Sequence, residues 1–391
     1  MSPPPAIDLE DLSLAHGGGV LLKRALAGVA PGGRLAVRGR APDLTVELRA
    51  WCRSRGHHFD PSGHIVTRGT ADDARWAGSQ RAGDEGSPAG NPSPTWGLAA
   101  RGAQVEAGAP AFRFALDDKR SVWASGAAAL YRQAVAEQWD PARAVRWEEP
   151  FELPPEVEAA VVQVMTYLVE NENAALVVPA RFLGQVHPHF REVVQVLAVQ
   201  VADEARHVEV FTRRALLRGG TLGLSTAGGQ ASLLTLLEEP DYATAHFLLS
   251  VLGEGTFLSL LSFLERHGPD PVTRQVTRLA LADEARHVAF GMGHLQEVVA
   301  ADPGIRARLA TAILRRHRAL AHTAGLNEEV FDALVVLSAG SWEPSAIRAG
   351  WARVQELQAE MADGRRRRLV KLGFAQEQAA ELAALHTRNF M

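Results

Sequence analysis

The feature that most constrains this chain is a seven-residue sequence that occurs twice. Ala-Asp-Glu-Ala-Arg-His-Val stands at 202–208 and again, unchanged, at 282–288. In each copy a glutamate precedes a histidine by three positions, and residues three apart are neighbours on one face of an α-helix. Two helices that each turn a carboxylate and an imidazole inward supply four ligands for a pair of metal ions. The repeat therefore predicts a helical core around two metals, with further ligands from adjacent helices.

Two more carboxylates complete the predicted ligand set. Glu254 is the one acidic residue within a long apolar helical stretch, and a lone carboxylate is costly to bury unless something coordinates it. In the helix before the first repeat, Glu172 shares its face with apolar residues such as Met165 and Leu168, so it is favoured over Glu170. The predicted ligands are Glu172, Glu204, His207, Glu254, Glu284 and His287.

The spacing of these ligands supports a bundle of two helical hairpins. Four long helical patterns cover about 155–184, 188–218, 241–267 and 271–299. In each consecutive pair, the two ligand glutamates lie about fifteen residues on either side of a tight turn, which places them at the same height in an antiparallel hairpin. The connection over 219–240 can extend ~70 Å, enough to cross the length of the bundle.

Other residues of the repeat are predicted to support the ligands. Asp203 and Asp283 lie four residues before the histidines, so they can accept a hydrogen bond from the outer nitrogen of a ligand imidazole. Such a bond fixes the tautomer and raises the basicity of the ligand. Arg206 and Arg286 could neutralise these aspartates, and ordinary ion pairs along the helix are the alternative for the arginines.

Small and apolar residues around the predicted ligands indicate a pocket for substrate or O2. Two glycines flank Glu254, and each costs the helix about 1 kcal/mol relative to alanine. Space beside the metals and close helix packing are two reasons to tolerate them. His246, two turns before Glu254, is interpreted as a packed histidine rather than a base. The predicted pocket residues are Met165, Phe211, Phe247, Gly253, Gly255, Phe257 and Phe290.

Composition narrows the class of protein. A hydrophobic content of 47% and a charged content of 22% in 391 residues are typical of a soluble globular protein. The net charge of -4 offers no electrostatic reason to expect a nucleic-acid partner. The single cysteine, Cys52, excludes a disulfide framework within the chain and favours a cytoplasmic setting. Because no apolar run approaches the ~20 residues of a membrane span, no membrane association is expected.

Three regions are predicted along the chain. Residues 1–68 alternate strand and helix signals and predict a small α/β two-layer domain. Residues 69–124 are rich in Gly, Pro and Ser and predict a linker, with one extra strand at 111–116 that closes the small domain. Residues 125–391 predict helices throughout. The expected fold class is therefore mainly α, a four-helix bundle with extra C-terminal helices after a small α+β domain.

The paired Asp-Glu-x-Arg-His sequences resemble those of ferritin-like di-iron oxidases and oxygenases, over about residues 155–300. The resemblance implies a ferritin-like four-helix bundle, two iron ions with manganese as the alternative, and oxidation of a small organic substrate by O2. The radical-bearing subunit of ribonucleotide reductase has a tyrosine shortly after its first motif, where this chain has Val208 to Phe211. Arylamine N-oxygenases have an extra histidine ligand at the positions of Gln200 and Ala280.

The first seventy residues resemble the TusA-like sulfur-carrier family. The similar segments are Asp8-Leu9, Leu21 to Leu26, Ala30 to Gly33, and Trp51 to His57. Members of that family carry a reactive Cys-Pro at the start of their first helix, whereas this chain has Ser13 to Gly19 there. Transfer of sulfur by the family's route is therefore not expected, and Cys52 is interpreted as a buried small hydrophobic residue.

Three functional hypotheses follow. The leading one is an O2-dependent di-iron enzyme that hydroxylates, N-oxygenates or desaturates a small organic molecule. Since the sequence contains no flavin, nicotinamide or iron–sulfur motif, electrons would come from an external donor or from the substrate. The alternatives are an iron-handling or peroxide-scavenging protein, and a module whose N-terminal domain docks a sulfur-relay or carrier partner. A homodimer is a further expectation.

Overall fold

The structure, a computed structural model, describes residues 3–320 and 328–385, and its chain divides into two compact units. Unit 1 consists of Met1–Glu85 and Ser93–Phe112. Unit 2 consists of Gly86–Pro92 and Arg113–Met391. Each unit has its own cluster of buried hydrophobic side chains.

Unit 1 is built on a four-stranded sheet. In chain order its elements are β1 (Ala6–Asp8), α1 (Gly18–Ala27), β2 (Arg34–Arg38), α2 (Leu44–Ser54), β3 (His58–Asp60) and β4 (Ile65–Thr67). The strand order is β1-β2-β4-β3, with β1 parallel to β2 and the other pairs antiparallel. Leu22 and Leu26 of α1, and Leu44, Leu48 and Cys52 of α2, recur every four residues and are buried. Each helix therefore covers the core with one apolar face.

The linker region is more regular than its composition suggests. It contains α3 (Ala71–Arg75) and a two-stranded ribbon of β5 (Gln80–Arg81) and β6 (Gln104–Val105). The strand expected at 111–116 does not form. Leu116 makes only an isolated bridge to Val186 within unit 2, where its backbone N–H donates to the Gln185 carbonyl at 3.0 Å. Strand β3 was not predicted, because its three residues are too few for a period-2 pattern to show.

Unit 2 contains the two predicted hairpins. The first is α7 (Pro155–Leu183) followed by α8 (Arg191–Ala215). The first arm of the second hairpin consists of α10 (Tyr242–His246), a π-helical segment (Phe247–Glu254) and α11 (Gly255–His267), and its second arm is α12 (Pro271–Ala301). Asp241 and Asp270 cap α10 and α12 by accepting backbone N–H bonds, and prolines stand at the starts of α7 and α12.

Additional helices surround the hairpins. Before them come α4 (Lys119–Val122), α5 (Ala127–Ala136) and α6 (Pro141–Ala144), and α9 (Ala227–Leu237) lies in the crossover between hairpins. After them come α13 (Ile305–Leu320), α14 (Glu328–Ala339), α15 (Pro344–Lys371) and α16 (Gln376–Leu385). Helix α14 packs on α7, and α15 packs on α11. The predicted fold class is confirmed as a mainly helical protein, with a bundle of two helical hairpins, extra C-terminal helices and a small sheet region near the N-terminus.

The second hairpin contains one long apolar helical stretch. Tyr242–His267 is long and apolar enough to cross a bilayer, contrary to the expectation that no such run exists. In its most apolar window 83% of the residues are buried inside the protein. A core helix of a soluble protein passes the same test of length and composition, so this finding is weak evidence for a membrane span.

Candidate metal centre

The six predicted ligands converge in the interior of unit 2, between α7, α8, α12 and the π segment. None is more than 4% exposed. They form two overlapping groups whose ligand atoms lie within 4.8 Å of one another. The first group is Glu172, Glu204, His207 and Glu284, and the second is Glu204, Glu254, Glu284 and His287.

The overlap gives the site a definite layout. Glu204 and Glu284 belong to both groups, so each can contribute to two adjacent metal positions. The first position adds Glu172 and His207, and the second adds Glu254 and His287. Four carboxylates and two imidazoles, without thiolates, are a donor set that suits iron or manganese. The buried Glu/His clusters are thus able to bind a pair of metal ions.

The carboxylate oxygens show the same fit from their hydrogen bonds. Glu172 Oε1, Glu254 Oε2 and both Oε atoms of Glu284 are buried and have no hydrogen-bond partner among the described residues. His287 Nδ1 lies 3.0 Å from Glu204 Oε1, but without the alignment of a hydrogen bond. Buried polar atoms are normally satisfied. A buried cluster of carboxylate oxygens and an imidazole nitrogen without hydrogen-bond partners is what residues that would coordinate cations are expected to show.

Burial and neighbouring charges shift the pKa values of the residues in this cluster. Burial, together with the nearby charges of Glu204 and Glu284, raises the pKa of Glu172 well above its ordinary value. Burial and the charge of Glu284 do the same to the pKa of Glu254. Burial opposes the charged form of both histidines, but their carboxylate partners prevail and raise the imidazole pKa values of both. Metal binding would therefore displace protons from this site.

The aspartates of the repeat do reach the outer imidazole nitrogens, but with exchanged partners. His207 Nε2 lies 3.2 Å from Asp283 Oδ2, and His287 Nε2 lies 3.2 Å from Asp203 Oδ2. The sequence spacing had suggested a bond within each helix. The Asp and the His of each copy both face the other repeat helix. Each aspartate therefore meets the histidine of that facing helix. The two copies of the repeat are thereby tied to each other.

The arginines of the repeat join this network as well. Arg206 Nη2 lies 2.5 Å from Asp203 Oδ1 and 3.1 Å from Asp283 Oδ2. Arg286 pairs with Asp283 of its own helix and approaches Asp203 at 3.7 Å. Both guanidiniums thus contact both aspartates, so they do more than form pairs along one helix. Four charges of alternating sign lie behind the two imidazoles, and the hydrogen bond and charge of His207 lower the pKa of the Asp283 carboxyl.

Residues 137–139, after helix α5, cover the outer side of this network. Trp139 Nε1 donates to Asp283 Oδ2 at 2.8 Å, and Gln138 Nε2 donates to Asp203 Oδ1 at 3.1 Å. Glu137 accepts from Arg286 Nη1 at 2.8 Å. The indole ring of Trp139 also lies under the Arg206 guanidinium, 4.9 Å from its carbon. These contacts were not predicted, because a turn signal at Trp139-Asp140-Pro141 does not reveal what the turn packs against.

Gln200 distinguishes the second metal position. Its Nε2 donates to Glu254 Oε1 at 2.9 Å, and both residues are buried. Glu254 is also the last residue of the π segment, and π-helical turns occur often at functional sites. Sequence comparison of the two repeats places Ala280 at the position that matches Gln200. No hydrogen bond of this kind is available from an alanine side chain.

A small cavity lies against the carboxylates. Its volume is about 20 Å³, which is room for about one water-sized molecule. The lining residues are Asn171, Glu172, Ala175, Leu236, Leu249, Gly253, Glu254, Phe257 and Glu284. Of the predicted pocket residues, Gly253 and Phe257 line it. Leu236 comes from the crossover helix α9, and nothing in the sequence near the ligands could have pointed to it.

The other predicted pocket residues lie elsewhere in the core. Met165, Phe211, Phe247 and Phe290 are fully buried and do not line this cavity. The ring of Phe211 lies 6.2 Å from that of His207, and the ring of Phe290 lies 5.6 Å from that of His246. Gly255 faces the side chain of Arg368, so its role is close packing. Of the two glycines beside Glu254, Gly253 therefore leaves space beside the ligands, and Gly255 allows close helix packing.

Comparisons with known proteins complete this description. No protein-family model matches the chain, and no curated protein matches it. Among solved structures, one match is an R2-like ligand-binding oxidase with an aerobically reconstituted metal cofactor after photoconversion. It is 18% identical, has a TM-score of 0.42, and covers 68% of this chain and 91% of its own. A point variant of an R2-like ligand-binding oxidase with an Mn/Fe cofactor matches at 18% identity and TM-score 0.42, covering 68% and 92%.

Proposed function

We propose that this protein is an O2-dependent dimetal oxidase or oxygenase that acts on a small organic molecule. The observation that carries the proposal is the pair of buried four-residue groups that share Glu204 and Glu284. Carboxylates shared in this way would hold two metal ions, and such a pair would supply chemistry on one bound molecule. Iron is the proposed metal, with manganese as the alternative, because the donor atoms are oxygen and imidazole nitrogen.

The residues around the site have distinct tasks in this proposal. The six ligands hold the metal pair, and Asp203 and Asp283 orient the two imidazoles. When bound, the metal pair would supply the redox chemistry by which O2 oxidises a substrate, through hydroxylation, N-oxygenation or desaturation. The cavity beside Glu172, Glu254 and Glu284 is the place where O2 would approach. The apolar side chains of Leu236, Leu249 and Phe257 limit the access of water to it.

Metal reconstitution tests the proposal. The full-length protein, loaded anaerobically with ferrous iron and desalted, should retain two irons per chain and then consume O2. Glu204→Ala should lose both irons, since Glu204 belongs to both groups. Glu209→Ala, on the exposed side of the same helix, is the matched control and should retain two. Unchanged iron content in Glu204→Ala would show that these residues do not hold the metal.

Iron handling or peroxide removal is a second candidate function. The observation that favours it is the small size of the cavity, which has no room for an organic molecule without movement of its walls. Sustained oxidation of many ferrous ions per chain, without an organic substrate or an electron donor, would support this function. Stoichiometric oxidation that stops after two irons would favour the oxygenase.

The role of unit 1 is a separate proposal, in which it docks a sulfur-relay or carrier partner. Cys52 is buried in α2, and burial raises the pKa of its thiol to about 11, so this thiol is a poor nucleophile. Unit 1 would then bind a partner without carrying sulfur itself. A chain that lacks residues 1–112 and still oxidises its substrate with O2 would show that unit 1 is an accessory.

A further inference from the structure

A second cavity lies on another side of the bundle, between α11, α12 and α15. Its volume is about 380 Å³, within the range of sites that hold small organic molecules. The lining residues are Leu258, Ala285, Val288, Ala289, Met292, Gln296, Gly364, Arg367, Arg368 and Lys371. None of the six predicted metal ligands lines it. Three of its residues are cationic, and none is acidic.

The cations of this cavity are only partly neutralised by the protein. Arg367 is paired with Asp363, which does not line the cavity. Arg368 donates from Nε to the Val251 carbonyl at 2.7 Å, and its buried Nη2 has no partner among the described residues. Arg365, one turn before Arg368 but outside the lining of the cavity, is fully buried, and none of its three side-chain nitrogens has a partner among the described residues. Burial of such unpaired guanidiniums is costly.

The fold makes room for Arg368 in a specific way. A Cβ atom placed on Gly255 would lie only 2.4 Å from Arg368 Nε, and one on Gly364 would lie 3.2 Å from Nη1. Two glycines on facing helices therefore leave the space that the guanidinium fills. Its position is fixed by this packing and by the Val251 carbonyl. An unsatisfied donor held in this way is prepared to bind an anion.

The opposite wall of the cavity is apolar. Leu258, Val288 and Met292 provide it, and Ala285 and Ala289 leave space between them. Because burial and the neighbouring arginine charges lower the guanidinium pKa values of Arg365 and Arg368 only to about 10, both remain cationic at neutral pH. Cations on one side and apolar side chains on the other fit a ligand with the same division.

We propose that this cavity binds a small organic carboxylate with an apolar body. The carboxylate would accept hydrogen bonds from Arg368 Nη2 and Lys371 Nζ, and the apolar part would contact Leu258, Val288 and Met292. The site is distinct from the metal centre and does not depend on the function proposed for it. Arg368 also donates to the carbonyl of Val251, three residues before Glu254, so a bound anion would be linked through Arg368 to the segment that carries a metal ligand.

Isothermal titration of the metal-free, full-length protein with phenylacetate tests this proposal. Phenylacetamide has the same shape without the charge, and inorganic phosphate has charge without the apolar body. We expect saturable binding of phenylacetate and at least about tenfold weaker binding of either comparison ligand. Equal binding of phenylacetamide would overturn the role of the cations, and equal binding of phosphate would overturn the role of the apolar wall. Absence of saturable phenylacetate binding would overturn the whole proposal.

Variants locate the binding to this cavity. Lys371 is exposed, so Lys371→Gln should fold normally and weaken phenylacetate binding about three- to tenfold. Ala289→Trp keeps every charge but fills the cavity, and it should abolish binding. Lys23→Gln, at an exposed lysine of unit 1, is the matched control and should bind like the wild type. Phenylacetate binding that is unchanged in both Lys371→Gln and Ala289→Trp would place the ligand elsewhere and overturn the assignment. Iron content, measured on the same variants, reports separately on the metal centre.

Discussion

The two hairpins of unit 2 contain the same seven residues but differ around them. In the first hairpin, α7 is α-helical throughout its length, and two turns after His207 stands the buried Arg214. In the second, a π segment ends at Glu254, and two turns after His287 stands the buried His294. Gln200 of the first hairpin has Ala280 as its counterpart. The shared residues supply the ligands, and the residues that differ make the two metal positions unequal.

The partners of Arg214 and His294 show the contrast in charge. Arg214 forms buried ion pairs with Asp270 at 2.8 Å and with Glu158 at 2.7 Å. His294 forms no hydrogen bond to a carboxylate among the described residues. Its Nδ1 lies 3.0 Å from the Trp123 carbonyl oxygen, and its ring packs against Tyr242. Arg214 of the first hairpin is thus held by compensated charges, one of them Asp270 of the second hairpin, whereas His294 is held by neutral aromatic packing.

The largest expected effect is on metal content, which should depend on whether the substituted glutamate belongs to both ligand groups or to one. Glu284→Ala should remove both metals, whereas Glu172→Ala and Glu254→Ala should each leave about one metal per chain, since each belongs to a single group. Metal analysis after reconstitution and desalting measures this. Equal loss from all three variants would contradict the division into shared and unshared ligands.

The buried ion pairs of Arg214, which reach the second hairpin at Asp270, should contribute strongly to the stability of the helical unit. Asp270→Ala leaves the guanidinium of Arg214 buried with one carboxylate fewer, so the free energy of unfolding should fall by about 3–5 kcal/mol. Urea unfolding of the metal-free protein measures it. Glu360→Ala, at an exposed glutamate that pairs with Arg266 at 3.2 Å, should cost no more than about 1 kcal/mol. A loss below about 1 kcal/mol for Asp270→Ala would show that the buried pairs do not anchor the hairpin.

The neutral histidines of the second hairpin predict a pH dependence. Burial lowers the pKa of His246 to about 3 and that of His294 to about 4. Unfolded histidines take up protons near pH 6.5, so below that pH the unfolded chain binds more protons and the native state loses stability. Each histidine should account for a loss of about 2 kcal/mol between pH 7 and pH 5.

Substitution isolates this contribution. His246→Phe should reduce the fall in unfolding free energy between pH 7 and pH 5 by about 2 kcal/mol, because a phenylalanine takes up no proton. The measurement is urea unfolding of the metal-free proteins at both pH values. An unchanged fall in His246→Phe would show that His246 is not held neutral by burial.

The smallest expected effect would make the two positions more alike. Gln200→Ala removes the hydrogen bond to Glu254 and gives the first repeat the alanine found before the second. The affinity for one of the two metals should fall about tenfold, as is usual for residues that orient a ligand. Stepwise titration with ferrous iron measures both affinities. Gln195→Ala, on the same helix, should change neither, and an equal loss at both positions would argue against a specific role for Gln200.

Much of the helical unit could be predicted because its signals are local. Capping residues, prolines and helical spacing are properties of neighbouring residues, and they located α7, α8 and α12 within a few residues. Glu254 was found because an isolated carboxylate in an apolar stretch requires a partner. The short strand β3 and the π segment were missed, and the strand expected at 111–116 was wrong, since each depends on contacts that no local pattern records.

By itself the sequence determined which residues offer metal-binding atoms and that they lie on four helices, because helical periodicity follows from the backbone geometry. Only the tertiary structure decided how those atoms pair. It exchanged the aspartates between the repeats, assigned Gln200 to Glu254 and left a cavity of only about 20 Å³ beside the carboxylates. These features depend on how helices face one another. Distances between side chains on different helices are fixed by packing, which the order of residues along one helix does not specify.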